Sequence, residues 1–142
     1  MSVKAEMRAL REMVGLSQAD LAAAVGVSTR SVKRWEHPEW SDPPQDVMDL
    51  LHEARERQLR AVEGALEVVR GHSQAEAVQL TCYRSQQQYD EMGREPGEPF
   101  GCANANSRAV ADRLEAEGYE VEWSYPDDPD NIYHGARSIG GE

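Results

Sequence analysis

Apolar positions Val3, Met7, Leu10 and Val14 recur at helical spacing, which predicts an amphipathic helix ending at Gly15. Gly15 suits the left-handed residue that closes such a helix. Ser17-Gln-Ala-Asp is then a capping pattern, in which the Ser hydroxyl accepts from a first-turn amide and Asp20 complements the helix dipole. A second helix is predicted from Gln18 to Val25, with Leu21, Ala22 and Val25 inward. Gly26-Val27 is a turn, where Gly supplies positive φ. Ser28 caps a third helix, from Thr29 to about His37. Val32 and Trp35 share one side of it, and Thr29, Arg30, Lys33 and Arg34 the other.

Pro38, Pro43 and Pro44 mark a connector, and Pro44 is placed as the first residue of a fourth helix. Val47, Leu50, Leu51, Ala54, Gln58, Ala61, Val62, Ala65, Leu66 and Val69 keep a three-four rhythm up to Gly71. At ~1.5 Å per residue this helix is roughly 40 Å long, more than a small bundle needs. From Ala77 the period changes to two: Val78, Leu80 and Cys82 alternate with polar neighbours, as in a strand. A short helix over 85–92 capped by Ser85 and a loop over 93–101 follow, then a helix from Asn104 to Glu117 closed by Gly118. Tyr119, Val121, Trp123 and Tyr125 alternate with Glu120, Glu122 and Ser124, predicting a second strand. Residues 127–142, rich in Asp, Pro and Gly, are expected to be loosely packed.

The fold class is therefore α+β, mainly α. A helix bundle over 1–43, a long connecting helix over 44–72, a strand-helix-helix-strand unit over 73–125 and an acidic tail over 126–142 are expected. With 142 residues the chain suits one domain or two very small ones. No stretch approaches the ~20 consecutive apolar residues of a membrane span. Charges stand at the start, where a signal peptide needs an apolar run, so a cytoplasmic location is expected. Cys82 and Cys102 lie in no CxxC and near no patterned His pair, so neither zinc nor any other cofactor is expected.

The net charge of −11 argues against a polyanionic partner until its distribution is read. Residues 1–40 hold six basic side chains (Lys4, Arg8, Arg11, Arg30, Lys33, Arg34) against five acidic, a local +1. Residues 41–72 carry −3 and residues 73–142 carry −9. Local potential governs binding to a polyanion, so the acidic half is expected to face away from one.

The first three helices meet the demands of a helix-turn-helix. Small residues (Ala22, Ala23) suit the crossing, Gly26 the turn, and Val27 and Val32 the anchoring of the third helix. The N-terminal half of that helix is then free to enter a major groove. Gln18-Ala-Asp-Leu-Ala-Ala-Ala-Val-Gly-Val-Ser-Thr-Arg-Ser-Val-Lys-Arg-Trp-Glu resembles the Cro/C1-type repressor family. By that resemblance Gln18 holds a phosphate, Thr29, Arg30 and Arg34 face base edges, and Ser28 and Lys33 lie nearer the backbone. A guanidinium can bind guanine O6 and N7 together, worth about 1–3 kcal/mol of discrimination. Trp35 and Glu36 read as core and local hydrogen bonding.

Leu80, Tyr83 and Tyr89, with Asn106-Ser-Arg-Ala-Val-Ala to Gly118, resemble a smaller group of bacterial and phage regulators. That group, which includes an anti-CRISPR-associated autorepressor, joins a helix-turn-helix through a long helix to a dimerisation domain. Two strands alone are marginal. Pairing two copies would bury Leu80, Tyr83, Tyr119, Val121, Trp123 and Tyr125, so a homodimeric repressor of double-stranded DNA is expected. The rival is an antitoxin whose acidic half binds a toxin protein; RNA binding is a further alternative. An enzyme assembled from Cys102, His134 and Asn104 or Asp130 has no glycine-rich turn presenting the thiol, so catalysis is not expected.

Overall fold

In the computed structural model, which describes residues 1–72 and 74–131, the first three helices are short and each is capped by a serine. Helix α1 spans Val3–Val14, α2 Gln18–Val25 and α3 Thr29–Glu36. Ser17 accepts from the Asp20 amide at 2.9 Å while the Asp20 carboxylate accepts from the Ser17 amide at 3.0 Å, completing the capping box. Gly15 and Gly26 both close their helices in the left-handed region, at φ 84° and 74°.

The long helix α4 spans Gln45–Arg70 and begins one residue after Pro44, whose carbonyl accepts from the Val47 and Met48 amides. The chain forms two units, residues 1–60 and 61–142, so α4 contributes residues 45–60 to the first and 61–70 to the second. In the first unit Met7, Leu10, Leu21, Ala22, Val32, Val47, Met48 and Leu51 form the core, with Trp35 and Val25 packed against it. Met7, Leu21, Val32 and Leu51 are fully buried, worth ~1.5–3 kcal/mol each. Buried Gln58 donates to the Met13 carbonyl at 2.7 Å, tying α4 to the end of α1. The expected roles of Val27 and Ala23 are corrected: both are exposed, and Val32 is the anchor of α3.

The second unit runs β1 (Val78–Thr81), α5 (Gln86–Met92), α6 (Phe100–Ala116) and β2 (Val121–Ser124). The strands pair in parallel, Val78 against Val121 and Leu80 against Trp123. A parallel pair needs a crossover connection, which α5 and α6 supply. Val62, Leu66, Val110, Leu114 and Tyr119 form the core, and Val78, Leu80 and Val121 pack on it. The alternating positions Gln79, Thr81, Glu122 and Ser124 form the opposite, polar face of the sheet.

Three expectations change here. Helix α6 begins at Phe100, not Asn104, because the Phe100 amide donates to Gln86 Oε1 at 3.1 Å and the Cys102 amide to the Pro99 carbonyl. Strand β2 is shorter than the alternation implied, and Tyr119 precedes it as a core residue. Residues 126–131 are held rather than loose. Asn131 is buried and its side-chain Nδ2 donates to Ser124 Oγ and the Tyr125 carbonyl, at 2.9 and 3.1 Å. Asp128 accepts from the Tyr125 amide at 2.8 Å. The rest of the expected tail, 132–142, lies outside the described residues.

Candidate nucleic-acid interface

Helix α3 presents two chemically different sides. Val32 is fully buried and Trp35 half-buried against the first unit's core, so the register of the helix is set. Arg30, Lys33 and Arg34 are exposed, and Thr29 is half-buried at the first turn. Arg30 and Arg34 are four residues apart and share a face, as do Thr29 and Lys33. Ser28 is the cap: its Oγ accepts from the Ser31 amide at 3.3 Å, so the hydroxyl has a structural partner. Gln18 stands half-buried as the first residue of α2, beside the unsatisfied amides of that helix start.

The six cations of residues 1–40 divide into two sets of three. Arg11 is buried and bidentate to Glu36, Nε to Oε2 at 2.8 Å and Nη2 to Oε1 at 3.0 Å, with Nη1 donating to the Leu16 carbonyl at 3.0 Å. Lys4 Nζ donates to the carbonyls of Ser41 at 2.7 Å and Trp35 at 3.1 Å, with that of Arg34 at 3.5 Å. Arg8 pairs with Glu12 at 3.0 Å one turn along α1. Arg30, Lys33 and Arg34 have no carboxylate partner among the described residues. Since Glu36 is committed to Arg11, α3 offers a local excess of positive charge although the surrounding sequence is nearly neutral.

Sequence reasoning missed Arg11, Lys4 and Trp40 as organisers of this surface. Trp40 is half-exposed, with the Arg34 guanidinium 4.5 Å from its ring centroid. An aromatic residue within the polar turn His37-Pro-Glu-Trp-Ser was the visible signal. The Arg11–Glu36 pair bridges 25 positions and had no local one.

In the second unit Leu80, Tyr119 and Val121 pack into the unit's own core. Tyr83 stacks edge-on to Tyr89 with centroids 4.8 Å apart. Trp123 and Tyr125 remain exposed, on a cleft of about 560 Å³ that Cys82, Asn104, Arg108, Ser124 and Asp128 also line. Asn104 is no catalytic partner for Cys102. Its amide clamps Tyr83 at both backbone groups, accepting from N at 2.8 Å and donating to O at 2.7 Å. His134 lies outside the described residues. Among the described residues no group of three or more His, Cys, Asp or Glu could hold a metal ion, and no helix is long and apolar enough to cross a membrane.

A tri-helical unit with a capped, cationic third helix is the architecture of helix-turn-helix DNA-binding domains. Residues 7–37 match the Cro/C1-type helix-turn-helix family model, which is of DNA-binding regulators and not of enzymes. The match runs from Met7 within α1 to His37 just after α3, a minority of the chain, and supports a DNA-binding transcription regulator. No curated protein matches the chain.

Proposed function

We propose that the protein is a homodimeric repressor that reads an inverted repeat in double-stranded DNA through α3. The observation that carries this reading is the trio Arg30, Lys33 and Arg34, exposed on a helix whose register Val32 fixes and free of carboxylates among the described residues. Arg30 and Arg34 suit guanine edges, Lys33 and Gln18 suit phosphates, and Thr29 lies at the end of α3 that enters the groove. One such unit makes few contacts. Pairing two through Trp123 and Tyr125 would read half-sites about 34 Å apart. Repression is the proposed outcome because such a dimer occludes the DNA it covers.

Selection from a randomised duplex library, followed by binding measurements at several salt concentrations, tests this. Arg30→Ala is expected to cost about 1–3 kcal/mol and to relax preference at one base position. Lys33→Ala is expected to weaken all duplexes alike and lower the salt slope by about one. Unchanged affinity in both variants would rule out the assigned face. A monomer at micromolar concentration would rule out the dimer. Co-purification with the product of a neighbouring gene would point instead to an antitoxin, and gene neighbourhood would also reveal an anti-CRISPR setting.

A further inference from the structure

We infer that Trp40 is a positioning residue for Arg34, holding its guanidinium so that the N–H edge is presented to DNA; the inference rests on the reading of α3 given above. The ring stands 4.5 Å from the Arg34 guanidinium carbon. A guanidinium held over a ring by its face keeps its planar fork of N–H donors free for a base edge. Among the described residues no acceptor takes a side-chain N–H of Arg34. A long, exposed arginine otherwise spends rotamer freedom on binding. Stacking restrains it beforehand.

The ring is itself on a fixed turn. The Trp40 amide donates to the His37 carbonyl at 3.2 Å. Lys4 Nζ joins the end of α3 to the turn through the carbonyls of Trp35 and Ser41 at 3.1 and 2.7 Å. Pro43, just beyond, is buried. Lys4 therefore couples the backbone that carries Arg34 to the backbone that carries its platform. Half of the Trp40 surface is open to solvent, so the ring contributes little to the core, and core stability does not explain its place.

The test uses the whole protein, a duplex that wild type selects from a randomised library, and a scrambled duplex of the same length. Trp40→Ala is expected to weaken the selected duplex about two- to fivefold, the range of an exposed cation–π contact. The scrambled duplex should change by less than about twofold, and Trp40→Phe should restore most of the loss. In an Arg34→Ala background the Trp40→Ala effect should vanish. Without DNA, the Arg34 Nε–Hε NMR signal should carry a ring-current shift that Trp40→Ala removes. An unshifted signal overturns the contact. An equal loss on both duplexes, or an undiminished loss in the Arg34→Ala background, overturns the positioning role and makes Trp40 a direct DNA contact. A chain that enriches no duplex defeats the reading of α3 itself, an outcome distinct from these.

Discussion

Arg11 and Glu36 show how one side-chain pair can decide the character of a surface. Both side chains are under a tenth exposed, and the fork-to-fork geometry leaves the guanidinium with a third bond to the Leu16 carbonyl. The pair clamps the end of α1 to the end of α3 and withdraws an acid from the face that carries Arg30, Lys33 and Arg34. A single Arg11→Ala substitution strands a buried carboxylate and is expected to cost about 3–5 kcal/mol in urea unfolding. The double change Arg11→Met with Glu36→Leu should recover most of that loss, since two apolar side chains need no partner. Trp35 was legible as core and does pack there, whereas Glu36, expected to bond locally, bonds Arg11 across 25 positions. The partner of Glu36 was not legible, because only the packing of α1 against α3 brings Arg11 to it.

Among the elements, the helices were legible where polar caps and apolar spacing agree. Ser17 and Asp20 marked the start of α2, Ser28 that of α3 and Ser85 that of α5, and each serine accepts from an amide of the first turn. Gly26 gives this a clean test. At φ 74° a Cβ would meet nothing within 4 Å, so Gly26→Ala suffers backbone strain without a clash. The expected cost is about 1–2 kcal/mol in thermal unfolding. A change below about 0.3 kcal/mol would mean that the turn relaxes into another conformation. The start of α6 was illegible for a contrasting reason. Phe100-Gly-Cys-Ala offers neither a side-chain cap nor a clear rhythm, and Gln86, fourteen positions earlier, accepts the Phe100 amide.

For the whole molecule, charge divides as the chain does. The second unit carries the acid, and several of its carboxylates are bound. Arg70 hydrogen-bonds Glu117 at 2.9 and 3.0 Å and holds its carboxyl below the usual range. Arg84 does the same for Asp127, and the Gly97 amide, with Gln86, for Asp90. A carboxyl whose folded value is lowered adds stability above its unfolded value and loses it as pH falls through the folded one. The second unit should therefore weaken below about pH 4. Glu117→Gln and Asp127→Asn should flatten that acid limb of the unfolding temperature. Salt should weaken the two arginine pairs, which are exposed, but not the Gly97 contact. A limb unchanged in both variants would mean that other carboxyls set it.

Periodicity and capping chemistry are local, so the sequence by itself determined the helix-turn-helix, the long α4, the two strands and the cationic side of α3. These depend on neighbours within a turn or two, which a linear pattern records. Whether an apolar residue points into its own core or stays open depends on what packs over it. Val27, Trp123 and Tyr125 stayed exposed, while Tyr119 and Val121 were taken into the second unit's core. The tertiary structure alone decided those fates, the hold on residues 126–131, and which of the six N-terminal cations remain free of carboxylates among the described residues. Contacts such as Arg11 with Glu36, Lys4 with Ser41 and Asn131 with Ser124 form only after the chain has folded back on itself.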